Sequence, residues 1–391
     1  MQTLSLCMIV KDEAGNLPRS LAPLLPHVDE AVVVDTGSTD GTPELAERLG
    51  ARVHHFAWTH DFAAARNFSL KQATGKWIMW LDADNRVPEE DAAILKSLVQ
   101  RPRDAILWAT EILEPGGGRL LQKRIFPRLP QIRFQYRVHE QLCHPPALAQ
   151  VITPVRIFHW GYENRSLRIA KARRNLGYLL TDLQERPEDF YLRYHLTRHH
   201  FFAGELQEAW DQLQLVLATP DLEAQNPEIA RHAWLLAALI RDRLDDESGA
   251  LILFRQLLER DPDYGLAWYH LGITRFRHDD FTTAALALAR FLELGCGHFL
   301  LDQPEEKLVL TARLTRAQAL RQLERFHEAA GVLQEAQQRY PQEPGVWLET
   351  AVLAQVCQDE GAARRALGAC LALRPSFRRA QVLLEEMDGR P

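Results

Sequence analysis

Along the first 160 or so residues, apolar positions come in short runs separated by stretches of helical period. Leu4–Val10, Glu30–Asp35, Arg52–Phe56 and Trp77–Leu81 read as strands, Ala14–Leu25 as an amphipathic segment, and Pro43–Leu49 and Phe62–Ala73 as helices. Uninterrupted apolar runs such as Val32-Val33-Val34 suit strands covered on both faces. Strands alternating with helices of this length imply right-handed crossovers and a parallel sheet. From about Leu107 the pattern becomes more β-like, with Ala105–Ile112, Leu120–Phe126, Arg133–His139 and Pro154–His159. Pro115-Gly116-Gly117-Gly118 and Pro145-Pro146 mark the loops between them.

After Arg165 the strand pattern stops and short amphipathic helices follow to the end of the sequence, with a period near 34 residues. Trp234 and Trp268 are 34 apart, as are Pro341 and Pro375, and alanines recur at 209, 250, 284, 329 and 363. The units resemble tetratricopeptide repeats, helix–turn–helix pairs with a small residue where the two helices cross. About five are expected, at 190–221, 231–262, 265–296, 310–341 and 344–375, with Phe377–Met387 as a capping helix. A plain helical bundle is the alternative. The expected organisation is an α/β domain over 1–165, a connecting helix over 166–189 and repeats over 190–391. Repeats of this kind bury their faces only against neighbours and so form a curved groove for a partner chain.

Composition changes this picture little. Of 391 residues, 46% are apolar and 25% charged, which excludes wholesale disorder. The net charge of −6 argues against a nucleic-acid coat protein. Its distribution is more informative: net −5 over 1–100, +8 over 101–186 and −9 over 187–391. The basic middle segment is rich in arginine, which suits either a solvated surface or an anionic ligand such as phosphate. Five cysteines (Cys7, Cys143, Cys296, Cys357 and Cys370) never fall in a C-x-x-C pair, so a disulfide framework or zinc site of the usual spacing is not expected. No apolar run reaches the length of a transmembrane helix, and Leu4–Val10 lacks the basic flank and length of a signal peptide. A cytoplasmic location is the expectation.

The candidate chemistry gathers where predicted strands end, the usual ligand edge of such sheets. The apolar run Trp77–Leu81 delivers Asp82-Ala83-Asp84 to that edge. Two carboxylates at this spacing can share a hard divalent cation, although each is equally compatible with a solvated loop. Val34-Asp35-Thr36-Gly37-Ser38-Thr39-Asp40-Gly41-Thr42 is a strand end followed by a small-residue turn, where Asp35 could accept a hydrogen bond from a base or ribose. Asp61-Phe62…Ala65-Arg66-Asn67 places one guanidinium in an alanine-rich first turn, as either a phosphate contact or a surface arginine.

These segments, together with Cys7-Met8-Ile9-Val10-Lys11-Asp12-Glu13, Trp80-Leu81-Asp82-Ala83-Asp84, Arg137-Val138-His139-Glu140-Gln141-Leu142 and Ile157-Phe158-His159-Trp160-Gly161-Tyr162, resemble family 2 glycosyltransferases of GT-A fold. More narrowly, they resemble the bacterial subgroup with a tetratricopeptide tail, which includes bacteriocin-peptide S-glycosyltransferases. The resemblance implies that Val10, Lys11, Glu13 and Asp35 line a nucleoside pocket and that Arg66 approaches the diphosphate or the base. It implies that Asp82 binds ribose or a water of the metal, that Asp84 holds Mn2+ or Mg2+, and that His159 is a third metal or diphosphate ligand. Glu140 resembles the catalytic base of inverting relatives. Asn85 stands where close relatives usually carry Glu, which points to an altered donor-sugar pocket.

The implied reaction moves a sugar from a nucleotide diphospho-sugar, with uridine favoured, to a peptide, protein or glycan. The repeats would then present the acceptor or hold a sister subunit. Two other classes stand beside this reading. An interaction scaffold with a nucleotide-binding but catalytically weak front domain would also use the repeats. Nucleotidyl transfer would need a glycine-rich basic loop after the first strand, which Val10–Asn16 does not supply.

Overall fold

In β1 (Leu4–Val10) all side chains but one are buried, which puts this strand deep in the sheet. The computed structural model describes residues 3–113, 118–159, 165–297 and 304–389. Its further strands are β2 (Glu30–Asp35), β3 (Arg52–His55), β4 (Trp77–Trp80), β5 (Asn85–Arg86), β6 (Ala105–Leu113), β7 (Gly118–Pro127), β8 (Arg133–Gln135), β9 (Gln141–Cys143) and β10 (Ala149–His159). Eight of them form one sheet in the order β3-β2-β1-β4-β7-β6-β10-β5, and β8 and β9 form a separate hairpin.

β1, β2, β3 and β4 run parallel, while β7 is antiparallel to both β4 and β6. The chain grows outward from β1 through β2 to β3 and then returns to place β4 on the other side of β1. That reversal is a topological switch point, which opens a crevice at the carboxyl ends of the strands. Val10 pairs with Asp35, and Asp35 with His55, so three strand ends finish level. The fold is a mixed GT-A-like sheet followed by tetratricopeptide-like helices.

Strand alternation divides the core between the two faces. Leu4, Leu6, Met8 and Val10 pack with Val33, Trp77 and Met79 on one face. Cys7 packs with Val32, Val34, Ile78, Trp80 and Phe126 on the other.

Helices α1 (Leu17–Ser20), α2 (Thr42–Leu49), α3 (Phe62–Gln72), α4 (Glu89–Ala93) and α5 (Leu95–Leu98) cover the sheet region. The amphipathic segment expected over Ala14–Leu25 takes the form of the single turn of α1 and a 3-10 segment, Ala22–His27. Pro23 and Pro26 lack the N–H that an α-helix needs at those positions. The strand expected over Arg133–His139 stops at Gln135, because Tyr136 and His139 take positive φ values of 77° and 56°. Of the expected loop Pro115-Gly116-Gly117-Gly118, the first three residues lie outside the described residues, as does Trp160-Gly161-Tyr162.

The chain divides into two compact units, the first running through Leu222 and the second starting at Glu223. The first therefore also contains α6 (Arg165–Glu185), α7 (Phe190–Ala203) and α8 (Leu206–Leu217), and α9 (Leu222–Gln225) lies at the division.

The second unit is helical: α10 (Pro227–Arg243), α11 (Glu247–Arg260), α12 (Gly265–Arg277), α13 (Phe281–Leu294), α14 (Glu305–Gln322), α15 (Phe326–Arg339), α16 (Pro344–Val356), α17 (Glu360–Leu373) and α18 (Arg378–Met387). The sequence period appears here as repeated contacts. Asp246, Asp280 and Asp359 cap α11, α13 and α17, each after a residue of positive φ. Trp268, Trp347 and Gln381 each donate to the carbonyl of the proline six residues earlier. At Gly272 an added Cβ would meet Leu288 Cγ at 2.6 Å, so α12 and α13 require a residue without a side chain at that crossing. Among the described residues no helix is long and apolar enough to cross a membrane.

Candidate active site

The loops after β1 and β2 are tied to each other at the ends of their strands. Asp35 is buried, and its carboxylate accepts from the amides of Gly37 at 3.0 Å and Ser38 at 3.1 Å. These bonds fold the Thr36-Gly37-Ser38 turn, in which Gly37 has φ 105°. Thr36 donates to the Val10 carbonyl through both its amide and its hydroxyl. Asp12 reaches across to Thr39, Asp40 accepts from the Ala14 amide, and Thr42 accepts from the Glu13 amide at 2.8 Å. Glu13 also holds Asn16 Nδ2 at 2.6 Å. The Val10 side chain belongs to the core, so only its backbone faces this edge. Lys11 is exposed on the same loop.

A second group of side chains forms a chain of alternating charge. Asp61 caps α3 by accepting from Ala64, which sets Arg66 in the following turn. Arg66 stacks over Trp80 at 4.6 Å and Phe134 at 5.1 Å, contacts that hold its guanidinium plane. Its Nη2 lies 3.3 Å from Asp82 Oδ1, and its Nε 3.3 Å from Glu140 Oε1. The other Asp82 oxygen accepts from Arg124 Nη1 at 2.9 Å, and Arg124 also pairs with buried Glu111. Burial pushes the Asp82 carboxyl up, but Arg66 and Arg124 outweigh it and hold the group down at about 2. For Glu140 burial wins over the pull of Arg66, and its pKa is raised.

The expected metal ligands lie at one end of this chain. His159 ends β10 and pairs across the sheet with Asn85 of β5. Its Nδ1 is 2.7 Å from Asn85 Oδ1, 3.4 Å from Asp84 Oδ1 and 3.9 Å from Glu111 Oε1. Asn85 is 1% exposed, and its Nδ2 has no hydrogen-bond partner among the described residues. Asp84 and His159 are thus neighbours, whereas Asp82 is turned to the arginines. Among the described residues no group of three or more His, Cys, Asp or Glu side chains is gathered as a ready-made metal site. One carboxylate beside one imidazole fits a divalent ion that keeps water and phosphate oxygens as its remaining ligands.

Arg124 and Glu111 escaped sequence reasoning. β6 and β7 pair Leu107 with Ile125 and then Trp108 with Lys123, so Arg124 is the extra residue of a β-bulge. A bulge re-aims a side chain at the cost of one ladder position. The available signal was charge within a strand of a covered sheet, at Glu111 and at Arg124.

The model of glycosyl transferase family 2 matches residues 5–155, and a tetratricopeptide repeat model matches 310–356. A TPR repeat-containing protein of Synechococcus elongatus is 36% identical over 67% of this chain and 68% of its own length. The front domain of the chain belongs to glycosyltransferase family 2. The SPbeta prophage-derived glycosyltransferase SunS of Bacillus subtilis is 26% identical over 54% of this glycosyltransferase, which spans about half of SunS (52%). Among solved structures, YrrB, a TPR protein with an unusual peptide-binding site, superposes with a TM-score of 0.42 at 16% identity, covering 53% of the enzyme and 97% of YrrB.

Proposed function

We propose that this glycosyltransferase moves a sugar, with inversion, from a nucleotide diphospho-sugar to a peptide, protein or glycan, with Glu140 as general base. A UDP-sugar is the favoured donor. The observation that carries the reading is the placement of Glu140: its side chain only 10% exposed, raised in pKa, and 3.3 Å from the arginine that also contacts Asp82. A carboxylate with a raised pKa sits closer to the operating pH, where general-base catalysis is most efficient.

In this mechanism the loops around Asp35 and Glu13 receive the nucleoside, and Val10 and Lys11 lie beside it. Arg66 faces the diphosphate, and Asp82 fixes Arg66 and accepts from ribose or a bound water. Asp84 and His159 would hold Mn2+ or Mg2+, which would neutralise charge on the departing diphosphate. The acceptor oxygen or sulfur attacks the anomeric carbon on the face opposite the leaving group. Its proton passes to a Glu140 oxygen while the bond from the anomeric carbon to the phosphate oxygen breaks. The helices of the second unit would bind the acceptor or a second copy of the chain.

The test is nucleotide release from UDP-glucose, UDP-N-acetylglucosamine and GDP-mannose, with Mn2+ or with chelator. Glu140→Gln is expected to lower turnover about 10²–10⁴-fold without loss of nucleotide binding. Wild-type turnover by that variant would refute the base assignment, and undiminished turnover in chelator would refute the metal.

A further inference from the structure

The loop that carries Glu140 is held by helices that follow the sheet. Tyr136 and His139 both sit at positive φ, a backbone state that is costly for a non-glycine residue and persists only where its surroundings hold it. Those surroundings come mainly from α6 and α7. Asp182 of α6 accepts from the Arg137 amide at 2.7 Å and pairs with the Arg137 guanidinium, which also meets Glu185 at 2.6 Å. Asp189 caps α7 and accepts from the Tyr136 hydroxyl at 2.8 Å. Tyr136 stacks on Tyr191 at 4.9 Å, and His139 on His195 at 4.0 Å.

Buried Tyr191 is central to this arrangement. Its hydroxyl donates to the His139 carbonyl at 2.8 Å and accepts from Gln141 Nε2 at 2.6 Å. One oxygen therefore grips the residues immediately before and after Glu140. We propose that Tyr191 is a positioning residue: its bridge from His139 to Gln141 holds the Glu140 carboxylate in its place beside Arg66. The first helix after the connecting segment thereby becomes part of the catalytic apparatus. The inference rests on the assignment of Glu140 as base. Its physical content is a fixed loop. Without the bridge Glu140 samples solvent, its pKa falls back towards the ordinary carboxylate value, and it faces the acceptor for less of the time. The charged groups facing Glu140 are Arg66, Asp82 and Asp61.

The test compares the full-length wild type with Tyr191→Phe, Tyr191→Ala and Glu140→Gln. Nucleotide release is followed across pH with the same three nucleotide sugars, and UDP binding is measured by calorimetry. Amide exchange is followed in residues 136–142. Tyr191→Phe keeps the ring stack and loses only the bridge. It is expected to lower kcat about tenfold, the scale of one lost positioning hydrogen bond. KM for the nucleotide sugar and UDP affinity should stay unchanged, and the acidic limb of the kcat profile should move to lower pH. Exchange in 136–142 should rise, more so in Tyr191→Ala. Wild-type kcat and pH profile in Tyr191→Phe would overturn the inference, as would unchanged exchange in 136–142 whatever the donor. Wild-type turnover in Glu140→Gln would instead overturn the base assignment, so the two failures are distinguishable.

Discussion

Asp82 shows how one carboxylate can organise a site through its neighbours. It lies between Arg66 and Arg124, and each of its oxygens faces one guanidinium. With the folded-state pKa at about 2, below the ordinary 3.8, the charged form favours the native state. That contribution is present above pH 4 and is lost as pH falls towards 2; the shift corresponds to about 2 kcal/mol. Asp82→Asn should therefore lower stability by about 2 kcal/mol near neutrality, and its deficit against wild type should shrink as pH falls below about 4. Urea midpoints at the two pH values would check this, and a deficit independent of pH would refute it. Spacing and strand context made Asp82, Asp84 and Arg66 legible from sequence, and the family resemblance added Glu140 and His159. Arg124 and Glu111 were not legible, because a bulge between two distant strands aims Arg124 and no local pattern announces that register.

At the scale of elements, most strand positions followed from apolar runs, and the departures have local causes. Prolines keep the amphipathic segment Ala14–Leu25 from forming one α-helix, and positive φ at Tyr136 ended β8 early. Asn67 shows what a sequence motif can conceal. Its side chain donates to the Phe134 carbonyl at 2.8 Å and accepts from the Phe134 amide at 2.7 Å, so an amide side chain pairs with β8 as a neighbouring strand would. α3 and the β8–β9 hairpin are joined there, one residue from Arg66. Asn67→Ala leaves both polar groups of Phe134 without this partner, at a cost of about 1–3 kcal/mol. Arg66 would also lose the fixed position of the Phe134 ring under its guanidinium. Denaturation should report the stability loss, and nucleotide release per folded molecule should fall as well. Lost stability with unchanged turnover would show that Asn67 supports only the fold.

At the scale of the whole molecule, the sequence divides where strands give way to helices, at 165–189. The compact unit that contains the sheet continues through Leu222. The difference has a physical origin that secondary structure alone does not reveal. The loop over 136–141 leaves the sheet in a backbone conformation that is costly by itself, and Asp182, Asp189 and Tyr191 supply its partners from α6 and α7. Helices with such contacts should open together with the sheet, whereas residues at the division should open more readily. Glu223 is exposed at that division and Glu188 is exposed in the link between α6 and α7. Limited digestion of the full chain with a glutamate-specific protease distinguishes the two boundaries. Early cleavage at Glu223, leaving a stable fragment that keeps α6 to α8, is the expected outcome. Early cleavage at Glu185 or Glu188 would mean that α7 is not fastened to the Glu140 loop in solution.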